Sequence, residues 1–598
     1  MVKDTVKHFI FENRKLIQNI LRVLLVLVSI LVIGTTVYYH GFPHPQETRD
    51  LLLTVNKLFF LVFILNYTVK VIIAQQPKAF LRQTWLEAFL LMLVIYDGIS
   101  YYVFEFPIIN ALFSYLRIDP MSTKYAFFIQ FFLILLVIIE FIKSTRDFGK
   151  IPLKPGALFV WSFVILILGG AGLLCLPSIN TTGTSMRFID ALFTSASASC
   201  VTGLTVADTA TYFNFKGQIL ILMLIQLGGL GIITFATYFA TFYKKGVGIK
   251  HQYALQQMLD TDSLIGSYGL IRKIFVYTIA IEAISATCLY MLWNNYPFAS
   301  SGDKVFSSIF HAISAFCNAG FSLFTNNLYE PGVSDKYILH LVVAATVFFG
   351  SLGFPAMRDM FEVDNLRKRL KMPWKKWKLS TQIAFYTSIA LVVFGAICFY
   401  FLEKNNAIKG MELFPAMVAS VFQSTITRTA GFNTVDMSIL GTPILIIFIF
   451  LMFVGASSGS TGGGIKTSTF VVIFASMWAT IRGKKMITLG RRTISHDLIY
   501  KAFAIFVFSA TYVFVCTFIL SITEPGTPII RLLFEEVSAF ATVGLSTGIT
   551  ASLSDASKIV LIISMFVGRV GILTLAFALS KEVETNAFKY PNSHIMIG

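Results

Sequence analysis

Four short segments of this chain end on a glycine, and their backbones rather than their side chains are placed to do chemistry. They run Ser195-Ala-Ser-Ala-Ser-Cys-Val201-Thr202-Gly203-Leu204, Ser314-Ala-Phe-Cys-Asn318-Ala319-Gly320-Phe321, Ser424-Thr-Ile-Thr-Arg428-Thr429-Ala430-Gly431-Phe432 and Ser538-Ala-Phe-Ala-Thr542-Val543-Gly544-Leu545. Long apolar stretches flank each one, so each glycine turn is expected at membrane depth. A turn there has carbonyls without helical partners, which are tolerated only where they are buried or line a wet cavity. Four such turns facing one axis would present rings of carbonyl oxygens able to replace the hydration shell of a potassium ion. Glycine permits the left-handed backbone that aims successive carbonyls inward. The short helices before the turns would point their negative ends at the same place. A single glycine in a membrane helix usually marks close packing, but four at matched positions point to a filter.

A second constellation is Gly455-Ala456-Ser457-Ser458-Gly459-Ser460-Thr461-Gly462-Gly463-Gly464-Ile465-Lys466. Each glycine costs a helix about 1 kcal/mol against alanine, so residues 455–464 cannot form a regular helix. Apolar runs continue on both sides, which excludes a simple cytoplasmic linker and suggests a movable element inside the membrane. Arg569, within Val567-Gly568-Arg569-Val570-Gly571, is an ionisable residue inside a span and is a functional candidate by default. Lys466 is expected either beside the broken segment or at the start of the returning helix. Arg428 is expected to brace the third turn through carbonyls or through Glu535 or Glu536. Asp208 and Asp436, just past the first and third turns, are read either as cation attractors or as solvated turn residues. Gly228-Gly229-Leu-Gly231 and Gly350-Ser-Leu-Gly353 are read as packing sites between helices.

The elements that position these residues repeat. A long apolar helix, a short Ser/Ala/Thr-rich helix, a glycine turn and a second long helix recur four times at a nearly constant interval. The expected long helices lie near 157–175 and 216–243, 270–293 and 337–360, 381–402 and 441–479, and 500–522 and 556–580, with the first short helix at 189–199. Four further spans are expected before them, near 17–39, 52–74, 85–104 and 124–142. The fold class is therefore all-α and polytopic, with about twelve spans of about 20 apolar residues. The expected divisions are 1–154 for the first region and 155–250, 251–372, 373–490 and 491–598 for the four repeats.

Composition agrees: 56% of residues are hydrophobic and 13% charged, about half the charged fraction of a soluble domain. The net charge of +17 lies in the loops between spans and not on one soluble face, which argues against nucleic-acid binding. The loops joining the repeats are rich in basic residues, such as Arg367, Lys368, Arg369 and Lys371, whereas 432–442 has none. By the positive-inside rule those loops and the amino terminus are cytoplasmic, and the four turns open outward in parallel. The six cysteines form no C-x-x-C pair, and no catalytic carboxylate pair, metal cluster or nucleotide motif stands out. The chain is thus not expected to be an enzyme or to bind a cofactor.

With these motifs in place, residues 155–585 resemble the Trk/Ktr/HKT superfamily of potassium transporters, most closely the bacterial Trk/Ktr translocating subunit. The resemblance rests on Val-Thr-Gly-Leu-Thr-Val, Asn-Ala-Gly-Phe-Ser, Thr-Ala-Gly-Phe-Asn-Thr and Thr-Val-Gly-Leu-Ser-Thr-Gly, in that order. It implies potassium as the transported ion at the filter carbonyls, because glycine in all four loops goes with potassium and serine in the first with sodium. It implies that 455–464 is an intramembrane gate loop below the filter, and that Arg569 is a positive barrier meeting it. It further implies a homodimer in the bacterial cytoplasmic membrane, on a cytosolic nucleotide-binding regulatory ring. A sodium- or proton-coupled transporter and the channel-like subunit of a potassium-pumping ATPase are the alternatives. Inverted repeats, usual in coupled transporters, are at odds with the parallel charge pattern.

The first 150 residues have a loose likeness to a voltage-sensor domain. Asn66 and Glu87 stand where acidic charge-transfer residues would be expected, and no span carries arginines at every third position. Packing around the pore core or a partner contact is the expectation there.

Overall fold

The computed structural model describes residues 14–74, 76–104, 155–242, 270–293, 296–484, 486–490 and 492–579. The expected span near 124–142 and the basic residues Lys3, Lys7, Lys244, Lys245 and Lys250 lie outside the described residues. The fold is all-α, apart from a two-stranded hairpin of β1 (Thr488–Leu489) and β2 (Arg492–Thr493). Several helices are long and apolar enough to cross a membrane, among them Gln46–Ile73, Leu379–Glu403 and His496–Thr523.

The chain divides into two compact units, one of residues 1–152 with 176–178 and one of 153–175 with 179–598. In the first, α1 (Arg14–Gly41), α2 (Gln46–Ile73), α3 (Pro77–Gln83) and α4 (Trp85–Phe104) follow one another. Leu25, Val32, Phe59, Phe60, Phe63, Leu90 and Leu91 form their core. Asn66 is buried there, and its amide donates to the Leu21 carbonyl at 3.0 Å.

The second unit holds the repeats. The first comprises α5 (Pro155–Leu174), α6 (Phe188–Ser199) and α7 (Phe215–Phe242). The second comprises α8 (Leu270–Leu292), α9 (Ser301–Cys317), α10 (Tyr337–Leu352) and α11 (Phe354–Phe361), followed by α12 (Val363–Lys371). The third comprises α13 (Leu379–Glu403), α14 (Leu413–Ile426), α15 (Thr442–Phe453) and α16 (Thr467–Ile481). The fourth comprises α17 (His496–Thr523), α18 (Ile529–Phe540), α19 (Asp555–Val570) and α20 (Ile572–Leu579).

Two expected continuous helices are broken. The 337–360 helix bends by 102° between α10 and α11, at Gly353, and the 556–580 helix breaks at Gly571. Both glycines have left-handed φ, +85° and +86°. Hydropathy alone misses such breaks because the apolar text runs through them.

The layering follows from side-chain size and polarity. The long helices expose apolar residues such as Ile165, Val393 and Phe514 on their outer faces. The short helices are buried, and small residues let them reach the centre. Their hydroxyls need partners there. Ser195 and Ser424, in the first and third short helices, donate to the Ile167 and Val392 carbonyls, each at 2.7 Å. Gly170 and Gly395, on the long helices alongside, leave room for those same serines. The same device in two repeats is the internal symmetry in its most local form.

Candidate functional site

Each short helix delivers its chain directly into a glycine turn. In the first, second and fourth copies the turn closes in one way. Thr202, Ala319 and Val543 donate their backbone N–H to the Ser197, Ser314 and Ser538 carbonyls at 2.7–2.8 Å. The residue before each of them, Val201, Asn318 or Thr542, takes a positive φ of 50–62°. That backbone is uncommon for any side chain, and for β-branched Val201 and Thr542 it is an outlier. Ser197 and Ser538 also accept the N–H of Gly203 and Gly544 on their hydroxyls, both at 3.0 Å. The third copy differs, since Thr429 and Ala430 both bond back to the Ile426 carbonyl.

The four turns meet in a closed cycle. A Cβ on Gly203 would strike the carbonyl of Ala319, one on Gly320 that of Ala430, one on Gly431 that of Val543, and one on Gly544 that of Thr202. Each glycine therefore faces the carbonyl that precedes the glycine of the next repeat, and the fourth returns to the first. All four have left-handed φ. The second and third turns are also tied by side chains, with the Asn318 amide 2.8 Å from the Thr429 hydroxyl. With the amide oxygen toward Thr429, the nitrogen can donate to Ala315 and Val347 carbonyls. Thr202 and Thr542 are buried, and their hydroxyls have no protein partner among the described residues.

Residues 455–464 form an irregular loop between α15 and α16, packed against the bases of three of these turns. Gly462 sits against Thr429, Gly463 against Thr542, and the Thr461 hydroxyl donates to the Phe316 carbonyl at 3.2 Å. Its two ends are held together, as Ile465 N donates to Phe453 O at 3.2 Å and Thr467 N to Ala456 O at 3.2 Å. Ser457 and Ser458 bond to the side chains of Thr467 and Ser468 at 3.2 and 3.0 Å. The loop also fits into the break of the second repeat: Ser457 N donates to Ser351 O and Phe354 N to Gly459 O, both at 3.0 Å. Ser460 is buried with its hydroxyl unpartnered among the described residues. Glycine is needed where backbone meets backbone, as at Gly353 against Ser458 and Gly455 against Gly463.

Three cationic side chains converge on this loop. Arg569 is buried and donates to the Thr461 carbonyl and to the Gly228 carbonyl, with Gly229 O at 3.4 Å. Lys466 stands at the N-cap of α16, and its ammonium turns back to the Gly462 carbonyl at 2.6 Å. Arg428 donates to the Gly455 carbonyl at 3.2 Å. Of the two kinds of partner expected for Arg428, it finds a carbonyl, and among the described residues it does not pair with Glu535 or Glu536. Glu535 instead accepts from Ser546 Oγ, Thr547 N and Thr550 Oγ1, bracing the loop past the fourth turn. Glu536 is fully buried on the same helix. Arg428 misses them because its side chain leads to the broken segment of its own repeat.

The glycine pairs have distinct work. Gly228, Gly350 and Gly568 each lie against the last carbonyl region of a short helix, at Ser199, Phe316 and Phe540. A Cβ at any of them would overlap that backbone, so close packing is their role. Asp208 and Asp436 both close their own turns. Asp208 accepts from Ala210 N at 3.0 Å and Thr211 Oγ1 at 2.8 Å, and Asp436 from Ser438 N at 2.8 Å and Ser438 Oγ at 2.7 Å.

Some buried polar residues were not singled out from sequence. Glu282, on α8, accepts from Gln226 on α7 at 3.2 and 3.3 Å, and Gln226 in turn lies 3.5 Å from Cys317 below the second turn. His311 links Ser307 O at 2.8 Å to Ser322 Oγ at 3.0 Å, on either side of that turn. A lone carboxylate in an apolar span is the same signal that marks Arg569, and it would have found Glu282.

Comparison with known proteins shows the family and the fold. The family model described as TrkH, cation transport protein, matches residues 160–590. The Ktr system potassium uptake protein B of Bacillus subtilis (strain 168) is 38% identical over 447 residues, covering 74% of this chain and 97% of that protein. The potassium/sodium uptake protein NtpJ of Enterococcus hirae is 36% identical over 453 residues, covering 75% of this chain and 98% of that protein. The crystal structure of the potassium transporter TrkH from Vibrio parahaemolyticus shares the fold, with a TM-score of 0.56 at 19% identity, over 82% of this chain and 97% of that one.

Proposed function

This chain belongs to the TrkH family of cation transport proteins, and on that premise we propose that it takes up potassium through the ring of Gly203, Gly320, Gly431 and Gly544. It is a multi-pass membrane transport protein and not an enzyme. The observation that carries the reading is the closed cycle in which each glycine faces the next repeat's carbonyl. Carbonyls of 201–203, 318–320, 429–431 and 542–544 are the ion ligands in this reading, replacing water around a dehydrated cation. The four short helices end at the ring, so their negative dipole ends favour the cation further. Bulk at any of the four positions would push neighbouring loops apart and change the ring's size.

The 455–464 loop is the gate. It lies against the bases of three turns, and opening the path requires it to leave Thr429, Thr542 and the Phe316 carbonyl. Arg569 holds it closed by clamping Thr461 to Gly228, and its charge opposes a cation at the same level. Lys466 adds a second tether at Gly462. Within this reading the chain is a homodimer with an inward amino terminus, in the cytoplasmic membrane of a bacterium. A cytosolic nucleotide-binding ring acts on the gate from below, and the chain itself binds no cofactor. In this reading the repeats at 155–250, 251–372, 373–490 and 491–598 form the pore.

The test is growth of potassium-uptake-deficient bacteria at low potassium, with the regulatory subunit supplied and with or without sodium. Rescue in both media is expected. Failure in both, with the protein present in the membrane, overturns potassium uptake. Rescue only with sodium favours coupling, a possibility raised by the potassium/sodium name of one relative.

A further inference from the structure

Helix α12 and the turn after it take no part in the contacts of the glycine ring, yet their pattern is specific. Val363, Leu366 and Leu370 share one face by helical spacing, and all are exposed, Leu370 at 83%. Met372 and Trp374 continue the apolar set beyond the helix, with Trp374 at 77% exposure. Arg367 and Lys371 flank the stripe, and Lys368, Lys375 and Lys376 are exposed as well. Asp364 is the single acidic residue in 363–378.

Arg369 behaves differently from these cations. It turns inward and donates to the Asp359 carbonyl at 2.5 Å and carboxylate at 2.6 Å. Asp359 also accepts the Lys378 backbone N–H at 2.9 Å. One carboxylate thus pins the segment to α11 at its middle and at its end, and leaves Val363, Leu366, Leu370, Trp374 and the remaining basic side chains exposed. The membrane-crossing helix Leu379–Glu403 starts at the next residue, so the segment cannot move far from headgroup depth.

We infer that residues 363–378 lie on the membrane surface and bind anionic lipid headgroups through Arg367, Lys368, Lys371, Lys375 and Lys376, with Val363, Leu366, Leu370 and Trp374 inserted beside the acyl chains. An exposed apolar stripe flanked by cations is the pattern of a helix lying in the interface plane. Long basic side chains can lay their stems along the apolar layer and keep their charges at the phosphates. Charge of nearly one sign matches an anionic surface, and the tether keeps that surface within reach. The inference does not depend on which ion the pore carries.

The full chain is reconstituted into phosphatidylcholine vesicles and into phosphatidylcholine–phosphatidylglycerol vesicles, both with brominated acyl chains. The chain has six tryptophans, so the signal of Trp374 is the difference between the unaltered protein and Trp374→Phe. Strong bromine quenching of that signal is expected in the anionic vesicles, with weaker quenching in phosphatidylcholine or at high salt. Neutralising Lys368, Lys371, Lys375 and Lys376 to Gln should lower the segment's partition by about five-fold per residue. Equal quenching in both vesicle types, or a Trp374 open to aqueous acrylamide in the anionic ones, overturns the inference. Protection of Trp374 only after a cytosolic regulatory protein is added overturns it too, and assigns the face to protein. The lipid and salt comparisons leave the basic residues intact, so misfolding of the Gln variant cannot imitate the expected result.

Discussion

The guanidinium of Arg569, in the last turn of α19, donates to the main-chain carbonyl of Thr461 in the broken segment of the third repeat. The same side chain reaches the Gly228 carbonyl in the first repeat. One residue thereby joins three repeats below the glycine ring, and the loop cannot be displaced while both bonds hold. Hydrogen bonds from a charged donor contribute about 1.5–3 kcal/mol each, so under the proposed gating role they favour the closed arrangement.

Removing that clamp should open the path. Arg569→Ala is expected to raise potassium or rubidium flux several-fold at matched expression, measured in cells or proteoliposomes. Arg569→Lys keeps the charge but presents a compact ammonium in place of the planar fork, so its flux should fall between the two. Equal flux in all three proteins would dissociate Arg569 from gating.

The ring glycines and the packing glycines should separate by phenotype. Gly203→Ser adds a Cβ against the Ala319 carbonyl, and a lowered ratio of rubidium to sodium flux is expected. Gly568→Ala overlaps the Phe540 backbone instead. It should reduce the amount of folded protein and leave the flux ratio of the surviving protein unchanged. Flux ratios under matched ionic conditions, together with thermal stability, distinguish the two outcomes.

Arg428 links the third turn to the 455–464 loop through the Gly455 carbonyl. Arg428→Ala leaves that carbonyl without this donor at a buried site, a loss of about 1–3 kcal/mol. A lower Tm is expected in detergent, together with a changed rubidium-to-sodium ratio, since the third turn lacks the closure used by the other three. A lower Tm with an unaltered ratio would confine Arg428 to a structural role.

Asp208 uses both carboxylate oxygens, and Asp436 its Oδ1, to close their own turns. Asp208→Asn and Asp436→Asn retain an oxygen able to accept the turn N–H. Uptake at ordinary ionic strength should therefore change by less than about two-fold, because exposed charges are screened there. A large fall in uptake that deepens at low salt would instead restore the cation-attractor reading.

Outside the membrane-spanning segments, Glu362 joins α11 to Lys273 at 2.5 Å and to Arg358 at 3.2 Å. Burial alone would raise its carboxyl, but the two cations outweigh it and hold it below the ordinary carboxylate range. A depressed folded-state pKa gives stability that is present above the unfolded value, about 4.3, and is lost as pH falls through the folded value. Glu362→Gln should remove on the order of 1 kcal/mol or less of stability at neutral pH and so lower Tm modestly. The difference from the unaltered protein should vanish in acid, which a Tm series across pH would reveal.

Much of this molecule is readable as a one-dimensional signal. Apolar run lengths locate the long helices, and Ile189–Ser199 falls within the observed α6 (Phe188–Ser199). The four glycine turns could be aligned because their local wording repeats, and the broken helix at 455–464 follows from its glycine density. Each of these depends on neighbours in the chain, which the sequence prints side by side.

Partnership between distant groups was decided by tertiary structure. That Gly203 faces Ala319, and Gly544 closes the cycle onto Thr202, depends on how four separate segments approach one another. Arg428 reaches Gly455 in place of Glu535, and the apolar helices at Gly353 and Gly571 break where hydropathy runs on. A buried polar group must find a partner, but composition and periodicity do not say which carbonyl will be within reach. Only the packed backbone determines that distance.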